Sequence, residues 1–138
     1  MTFLDLVNAE LMPAIAPLGF AVVQSSVADS FDNASVELEG LAFRLRAFRE
    51  RGDVFVDIGP ASEPGQWLDS DLMLEYLGLM SSTSDRSREA SAALGGAAAW
   101  VTTFHAELSE LLDAQHLPAT RRVIGDLGEQ RAARMFGP

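Results

Sequence analysis

The chain has 138 residues, a formal net charge of −10 at pH 7, 48% hydrophobic residues and no cysteine. This length and composition are typical of one globular domain with an apolar core, and the missing cysteines exclude thiolate catalysis and a disulfide framework. The acidic balance argues against nucleic acids and membrane surfaces as partners, because both bind clustered positive charge.

The N-terminal segment has no basic region, and Asp5, Asn8 and Glu10 interrupt the apolar stretch that a signal peptide requires. No apolar run in the chain approaches the roughly 20 residues that cross a bilayer. We therefore expect a cytoplasmic protein.

The first predicted element is an amphipathic helix from Phe3 to Leu18, with Thr2 as its N-cap. Pro13 lies inside this helix and predicts a kink or an end near Met12, because proline removes a backbone donor and clashes with the preceding turn. The sequence then changes to β-branched residues in alternation, which predicts a strand over 20–28.

Four strands, over 20–28, 33–39, 41–50 and 53–59, are predicted to form an antiparallel meander. A two-residue turn at Glu39 and Gly40 aligns apolar side chains of the second and third strands. The pairs predicted by this turn are Leu38 with Leu41, Val36 with Phe43, and Ala34 with Leu45.

A second two-residue turn, at Arg51 and Gly52, aligns the third and fourth strands. On one face it pairs Leu45 with Ile58 and Ala47 with Val56. On the opposite face it pairs Arg46 with Asp57 and Phe48 with Phe55. Every pair matches like with like or joins opposite charges, which supports this register.

After a loop from Pro60 to Gln66, a short helix is predicted over 67–79, with Asp69 and Asp71 in its first turn, where the helix dipole favours negative charge. The serine-rich segment 81–85 is predicted to be a flexible joint. The predicted organisation is a single domain, with an α-ββββ-α core over 1–80 and a helical part over 86–138.

The helical part is predicted to start at Arg86 and to break at Gly95 and Gly96, since two glycines remove about 2 kcal/mol of helix propensity relative to alanine. A second helix is predicted over 97–115, ended by Leu117 and Pro118. A weaker helix starts at Thr120. The expected fold is α+β, with an N-terminal helix, the meander, and C-terminal helices packed on one face of the sheet.

The segments 31–38, 43–46 and 49–57 together resemble a block found in small uncharacterised bacterial proteins. In size, acidity and α+β layout the chain also resembles the immunity partners of bacterial polymorphic toxins. The second resemblance implies a non-catalytic, toxin-neutralising role. Neither resemblance brings catalytic residues.

Motifs for catalysis and cofactors are mostly missing. His105-Ala106-Glu107 matches half of a zinc deaminase signature, but the two cysteines of the other half are absent. His116 lies about 16 Å further along the same predicted helix, too far to share a metal ion with His105. The chain has no nucleophile elbow, no phosphate-binding loop and no dinucleotide motif. We therefore expect no catalytic residue, cofactor or metal.

Neighbouring carboxylates keep one catalytic alternative open. They occur as Glu37 with Glu39, Asp53 with Asp57, and Asp69 with Asp71. Two acids on one face are the minimum for a carboxylate-based hydrolase, although an exposed strand face explains the same pattern.

The second face of the predicted sheet carries an aromatic pair and a charge pair. We predict that it binds a partner through Arg44, Arg46, Phe48, Phe55 and Asp57, with Trp67, Asp69 and Asp71 as a second anchor. Arginine and aromatic residues are enriched at interface centres. Two alternatives give this face no binding role: helices cover both faces of the sheet, or the phenylalanines only pack on each other.

These observations favour a non-catalytic acidic domain that binds a basic protein partner. The specific form of this hypothesis is a toxin-neutralising role. A self-associating structural or regulatory domain, for example a homodimer, is the first alternative. A carboxylate-based hydrolase is the second.

Overall fold

Helices precede and follow four strands in this computed structural model, which describes residues 2–27, 33–78 and 89–136. The elements in chain order are α1 (Phe3–Glu10), α2 (Met12–Ile15), a 3-10 turn (Ala16–Leu18), β1 (Ala21–Val27), β2 (Ala34–Glu39), β3 (Phe43–Glu50), β4 (Asp53–Pro60), α3 (Ser70–Tyr76), α4 (Ala90–Thr103), α5 (His105–Leu111) and α6 (Leu117–Phe136). The α+β prediction is confirmed.

The N-terminal helix is capped as predicted. Thr2 and Asp5 form a capping box, in which each backbone N–H donates to the other residue's side chain, at 3.0 and 3.1 Å. The predicted break near Met12 is also present, because α1 ends at Glu10 and Pro13 occupies the first turn of α2.

The strands form one antiparallel sheet in the order β1-β2-β3-β4, which is the predicted meander. The β3–β4 register is confirmed in full, with Arg46 opposite Asp57 and Phe48 opposite Phe55. Both residues of the connecting turn have positive φ, +52° at Arg51 and +86° at Gly52. This is the backbone that matches the twist of a two-residue hairpin.

The predicted β2–β3 register is wrong. Leu38 lies opposite Leu45 instead of Leu41, Val36 opposite Ala47 instead of Phe43, and Ala34 opposite Arg49 instead of Leu45. The turn is longer than two residues, and the backbone N–H of Gly40 donates to the Phe43 carbonyl at 3.0 Å.

The physical reason is that apolar alternation cannot distinguish registers that differ by an even number of residues, since each keeps the same side chains on the same face. Cross-strand charge does distinguish them. The observed register sets Glu37 opposite Arg46 and Glu39 opposite Arg44. It also leaves Leu41 outside the strand, 91% exposed.

One face of the sheet forms the core with the helices. Helix α1 packs on β2, and α3 and α4 pack on β4. The buried strand residues on this face are Ala34, Val36, Leu38, Phe43, Leu45, Ala47, Val54, Val56 and Ile58. The helices cover them with Phe3, Val7, Leu11, Ile15, Met73, Leu94, Val101, Leu108, Leu112, Leu117 and Ile124, among others.

Helix α3 is shorter than predicted. It starts at Ser70 because Asp69 is its N-cap, accepting hydrogen bonds from the backbone N–H groups of Asp71 and Leu72. The preceding residue, Leu68, is extended and forms an isolated bridge with Ile58.

The C-terminal helices correct three further predictions. Helix α4 runs through Gly95 and Gly96 without a break, because its buried side chains hold it on the core and tertiary packing outweighs propensity. The break falls at Phe104 instead. Pro118 lies in the first turn of α6, where proline is favoured, and so it starts a helix instead of ending one.

The predicted joint over 81–85 and the predicted helix start at Arg86 lie outside the described residues. Within the described ranges, no helix has both the length and the apolar character needed to cross a membrane.

Candidate functional site

The sheet's second face, which we call the outer face, points away from the helices. Side chains from β2, β3 and β4 alternate onto it, and each is only partly buried. They are Ser35, Glu37, Arg44, Arg46, Phe48, Phe55 and Asp57. Among the described residues the helices pack on the opposite face, so the alternative that helices cover both faces is not the observed arrangement.

Arg46 is at the centre of the outer face. Its Nη2 donates to Asp57 Oδ2 at 3.1 Å, across the β3–β4 ladder. Its guanidinium carbon lies 4.7 Å from the ring centroid of Phe48 and 5.0 Å from that of Trp67. Two aromatic faces and one carboxylate therefore hold the cation in place, each cation–π contact contributing about 0.5–1 kcal/mol at an exposed site.

Phe48 and Phe55 form a stacked pair beside Arg46. Their ring centroids are 4.7 Å apart and the ring planes differ by 17°. This is the cross-strand neighbour contact that the β3–β4 register imposes. The pair gives the outer face a flat apolar area, with which water forms no conventional hydrogen bonds.

Trp67 reaches Arg46 because the loop after β4 folds back onto the sheet. Leu68 exchanges backbone hydrogen bonds with Ile58, at 2.7 and 3.3 Å. Gly59 is required at this crossing, since a side chain there would collide with the Gln66 carbonyl and touch the Trp67 ring. The loop therefore fixes the indole over the outer face.

Acidic side chains surround this cluster. Burial raises the pKa of the Asp57 carboxyl, the pairing with Arg46 opposes this, and the negative charges of Asp69 and Asp71 raise the pKa further. Asp57, Asp69 and Asp71 thus lie close enough to share one negative field. The structure brings together the two groups of residues that the sequence suggested separately.

Arg44 differs from the other predicted binding residues. It lies between Glu37 and Glu39, at 3.8 and 3.7 Å, and its side chain is only 12% exposed. Its Nε is buried and has no hydrogen-bond partner among the described residues. Arg44 mainly holds the two glutamates in place and presents little surface of its own.

A groove of about 340 Å³ borders the cluster on the β1–β2 side. Its lining includes Phe48 and Arg46 together with the polar residues Ser26, Asn33 and Ser35. The serine hydroxyls are hydrogen-bonded at 2.8 Å, and the Asn33 side chain accepts from the Arg51 backbone at 2.9 Å. Sequence reasoning missed these three residues, although their alternation in β1 and β2 places the serines on the outer face.

The two histidines lie in separate places and not on one helix as predicted. His105 starts α5 and packs against Phe20 and Phe43, with ring centroids 6.2 and 5.4 Å away. His116 follows the end of α5, and its Nδ1 lies 2.9 Å from Asp113 Oδ1.

Within the described part of the chain, no group of three or more His, Cys, Asp or Glu side chains is arranged to hold a metal ion. The arrangement on the outer face is suited to contact with another surface, since it combines a cation, a carboxylate and aromatic rings on side chains that are only partly buried. No protein-family model, no curated protein and no solved structure matches this chain.

Proposed function

We propose that this chain is a non-catalytic protein-binding domain that docks a basic protein surface on its outer face. The observation that carries this proposal is the Arg46 cluster. A cation with stacked aromatic rings and an acidic border lies on the one sheet face that the helices leave open.

The cluster has the composition of an interface centre. Arginine, tryptophan and other aromatic residues dominate binding energies because they bury large areas, and the aromatic side chains have few rotamers to lose. Here Arg46, Phe48 and Trp67 are already held by contacts with one another. Binding therefore orders few additional side chains, which lowers the entropic cost of association.

The charge around the cluster favours a basic partner. Two arginines on the outer face are accompanied by five carboxylates, those of Glu37, Glu39, Asp57, Asp69 and Asp71. The whole chain carries −10. Such a field steers a cationic protein toward the face and repels an acidic one.

A toxin-neutralising role is the specific form of this proposal. An acidic domain that covers the basic substrate-binding surface of a toxin blocks it without chemistry of its own. The resemblance to immunity partners in acidity and α+β layout supports this choice of partner class.

The proposal predicts that the gene next to this chain's gene encodes a basic toxin domain, and the test is calorimetry of that domain binding this chain at low and high salt. We expect tight binding that weakens as salt screens the charges. Trp67→Ala should weaken binding at least tenfold, as is usual for an interface anchor. Met135→Ala is the matched control, since Met135 is 68% exposed on α6.

Two results would overturn the proposal. One is the absence of binding at either salt concentration. The other is binding that Trp67→Ala leaves unchanged.

A further inference from the structure

Strand β1 is the most exposed strand of the sheet. In the described ranges it pairs only with β2, and six of its seven residues are exposed, with Val22 partly buried. Val23 is 47% exposed and Val27 is 73% exposed. Among the described residues, therefore, no segment pairs with the free edge of β1.

Sheet edges are usually protected against pairing, by charged residues, proline, bulges or a covering segment. The β4 edge is covered at Ile58 by the bridge to Leu68. In β1, with the sequence Ala-Val-Val-Gln-Ser-Ser-Val, there is no charge and no proline. Its one irregularity is a bulge between Val22 and Gln24, which leaves Gln24–Val27 in regular pairing geometry.

We propose that β1 pairs antiparallel with β1 of a second copy of this chain, so that two four-stranded sheets join into one of eight strands. Because a twofold axis relates the two copies, the residues of one β1 face the residues of the other β1, and all of them are uncharged. An added strand with charged residues would find no opposite charge along this edge. Among the strands of this structure, β2, β3 and β4 all carry charges, and β1 alone does not.

The overall charge also favours the β1 edge as the place of contact. Two copies that each carry −10 repel one another over most of their surfaces. An uncharged edge is where they approach with the least repulsion. Salt reduces that repulsion, and so it should strengthen this dimer, whereas it weakens the docking of a basic partner on the outer face.

An apolar groove beside the edge enlarges the contact. It measures about 240 Å³ and lies between the start of α1 and the end of β1, lined by Phe3, Leu4, Val27 and Val36 among others. Side chains on the core-facing side of an added strand meet this groove. We expect a contact built from one strand pair and one groove to bury less than the roughly 1,600 Å² of a standard interface, and therefore to form a weak dimer that dissociates on dilution.

The test is sedimentation velocity across a range of concentrations, at low and high salt. The wild type should shift from monomer to dimer as concentration rises, and at lower concentrations in high salt. Val27→Lys should weaken dimerisation at least tenfold, because it places a charge on an edge that carries none and that offers no opposite charge to pair with it. Met135→Lys, the same kind of change at a similarly exposed residue of α6, should leave dimerisation unchanged.

Hydrogen exchange locates the contact independently of any substitution. Within Gln24–Val27, the alternate amides that point to the free edge of β1 should become protected at high protein concentration, while the others already face β2. The proposal is overturned if the wild type stays monomeric, if Val27→Lys dimerises like the wild type, or if these amides gain no protection. Trp67→Ala should dimerise normally, so that a failure here is separable from a failure of the proposed outer-face function.

Discussion

Gly40 lies directly against the ring of Phe20, and Gly40→Ala should destabilise the fold. A Cβ at this position would lie 2.6, 2.8 and 2.9 Å from three carbons of the Phe20 ring. That ring is 4% exposed and packs edge-on against Phe43, with centroids 5.2 Å apart. It has no open space in which to move, so the added methyl overpacks the core.

Overpacking of this kind costs about 1–3 kcal/mol. Removing a glycine from the unfolded chain returns about 0.4–1 kcal/mol, because alanine has less backbone freedom to lose. The net loss is about 1–2 kcal/mol, which lowers the Tm by roughly 3–7 °C for a domain of this length. Urea unfolding followed by circular dichroism measures the free energy, and a thermal scan measures the Tm.

Gly95→Ala is the matched control for Gly40→Ala. A Cβ at Gly95 meets no atom within 4 Å, and the residue lies inside α4. Alanine there should stabilise the fold by about 1 kcal/mol through helix propensity. Equal effects of the two substitutions, or a Gly40→Ala variant as stable as the wild type, would refute the packing described around Phe20.

Three further substitutions test the turn and the ionisable groups by urea unfolding. Gly52→Ala should cost about 1 kcal/mol, since φ is +86° there, and an unchanged midpoint would contradict the turn geometry. The pKa of Asp57 is raised above 3.8, so the contribution of its carboxyl to stability is complete below that pH and is lost as pH rises through the pKa of the folded state. Over this pH range the wild type should lose stability relative to Asp57→Asn, a variant that keeps an acceptor for Arg46. A parallel pH dependence of the two proteins would refute this expectation. The pKa of Asp113 is lowered below 3.8, first by the hydrogen bond from the His116 backbone N–H, so its contribution to stability is present above pH 3.8 and is lost as pH falls through the pKa of the folded state. Asp113→Asn should therefore reduce the loss of stability at acid pH. An unchanged loss would show that Asp113 makes no such contribution.

The strands were predictable because residues alternate along them, and the β3–β4 register because a two-residue turn and a charge pair agree on one alignment. The β2–β3 register was not predictable from alternation, since apolar pairs such as Leu38 with Leu41 satisfy it as well as Leu38 with Leu45 does. The charge pairs with Arg44 and Arg46 were the discriminating signal. The length of α4 was not predictable from propensity, because packing on the core decides it.

Much of the candidate site was also visible in the sequence. The pairs of Arg46 with Asp57 and of Phe48 with Phe55 follow from the hairpin. The approach of Trp67 to Arg46 does not, because it depends on a loop whose path is set by Leu68 and Gly59 rather than by any period. Loop paths of this kind are determined by tertiary contacts.

That loop also determines how recognition by this fold can change. The segment from Pro60 to Gln66 is anchored at one end by the Ile58–Leu68 bridge and is joined to α6 by the ion pair of Glu63 with Arg121, at 3.1 Å. Inserting or deleting residues in this segment changes the surface beside the indole, while the bridge at Leu68 keeps Trp67 and the strands beneath in place. Selectivity for a partner can therefore be retuned through the length of one connection, without any mutation in the sheet.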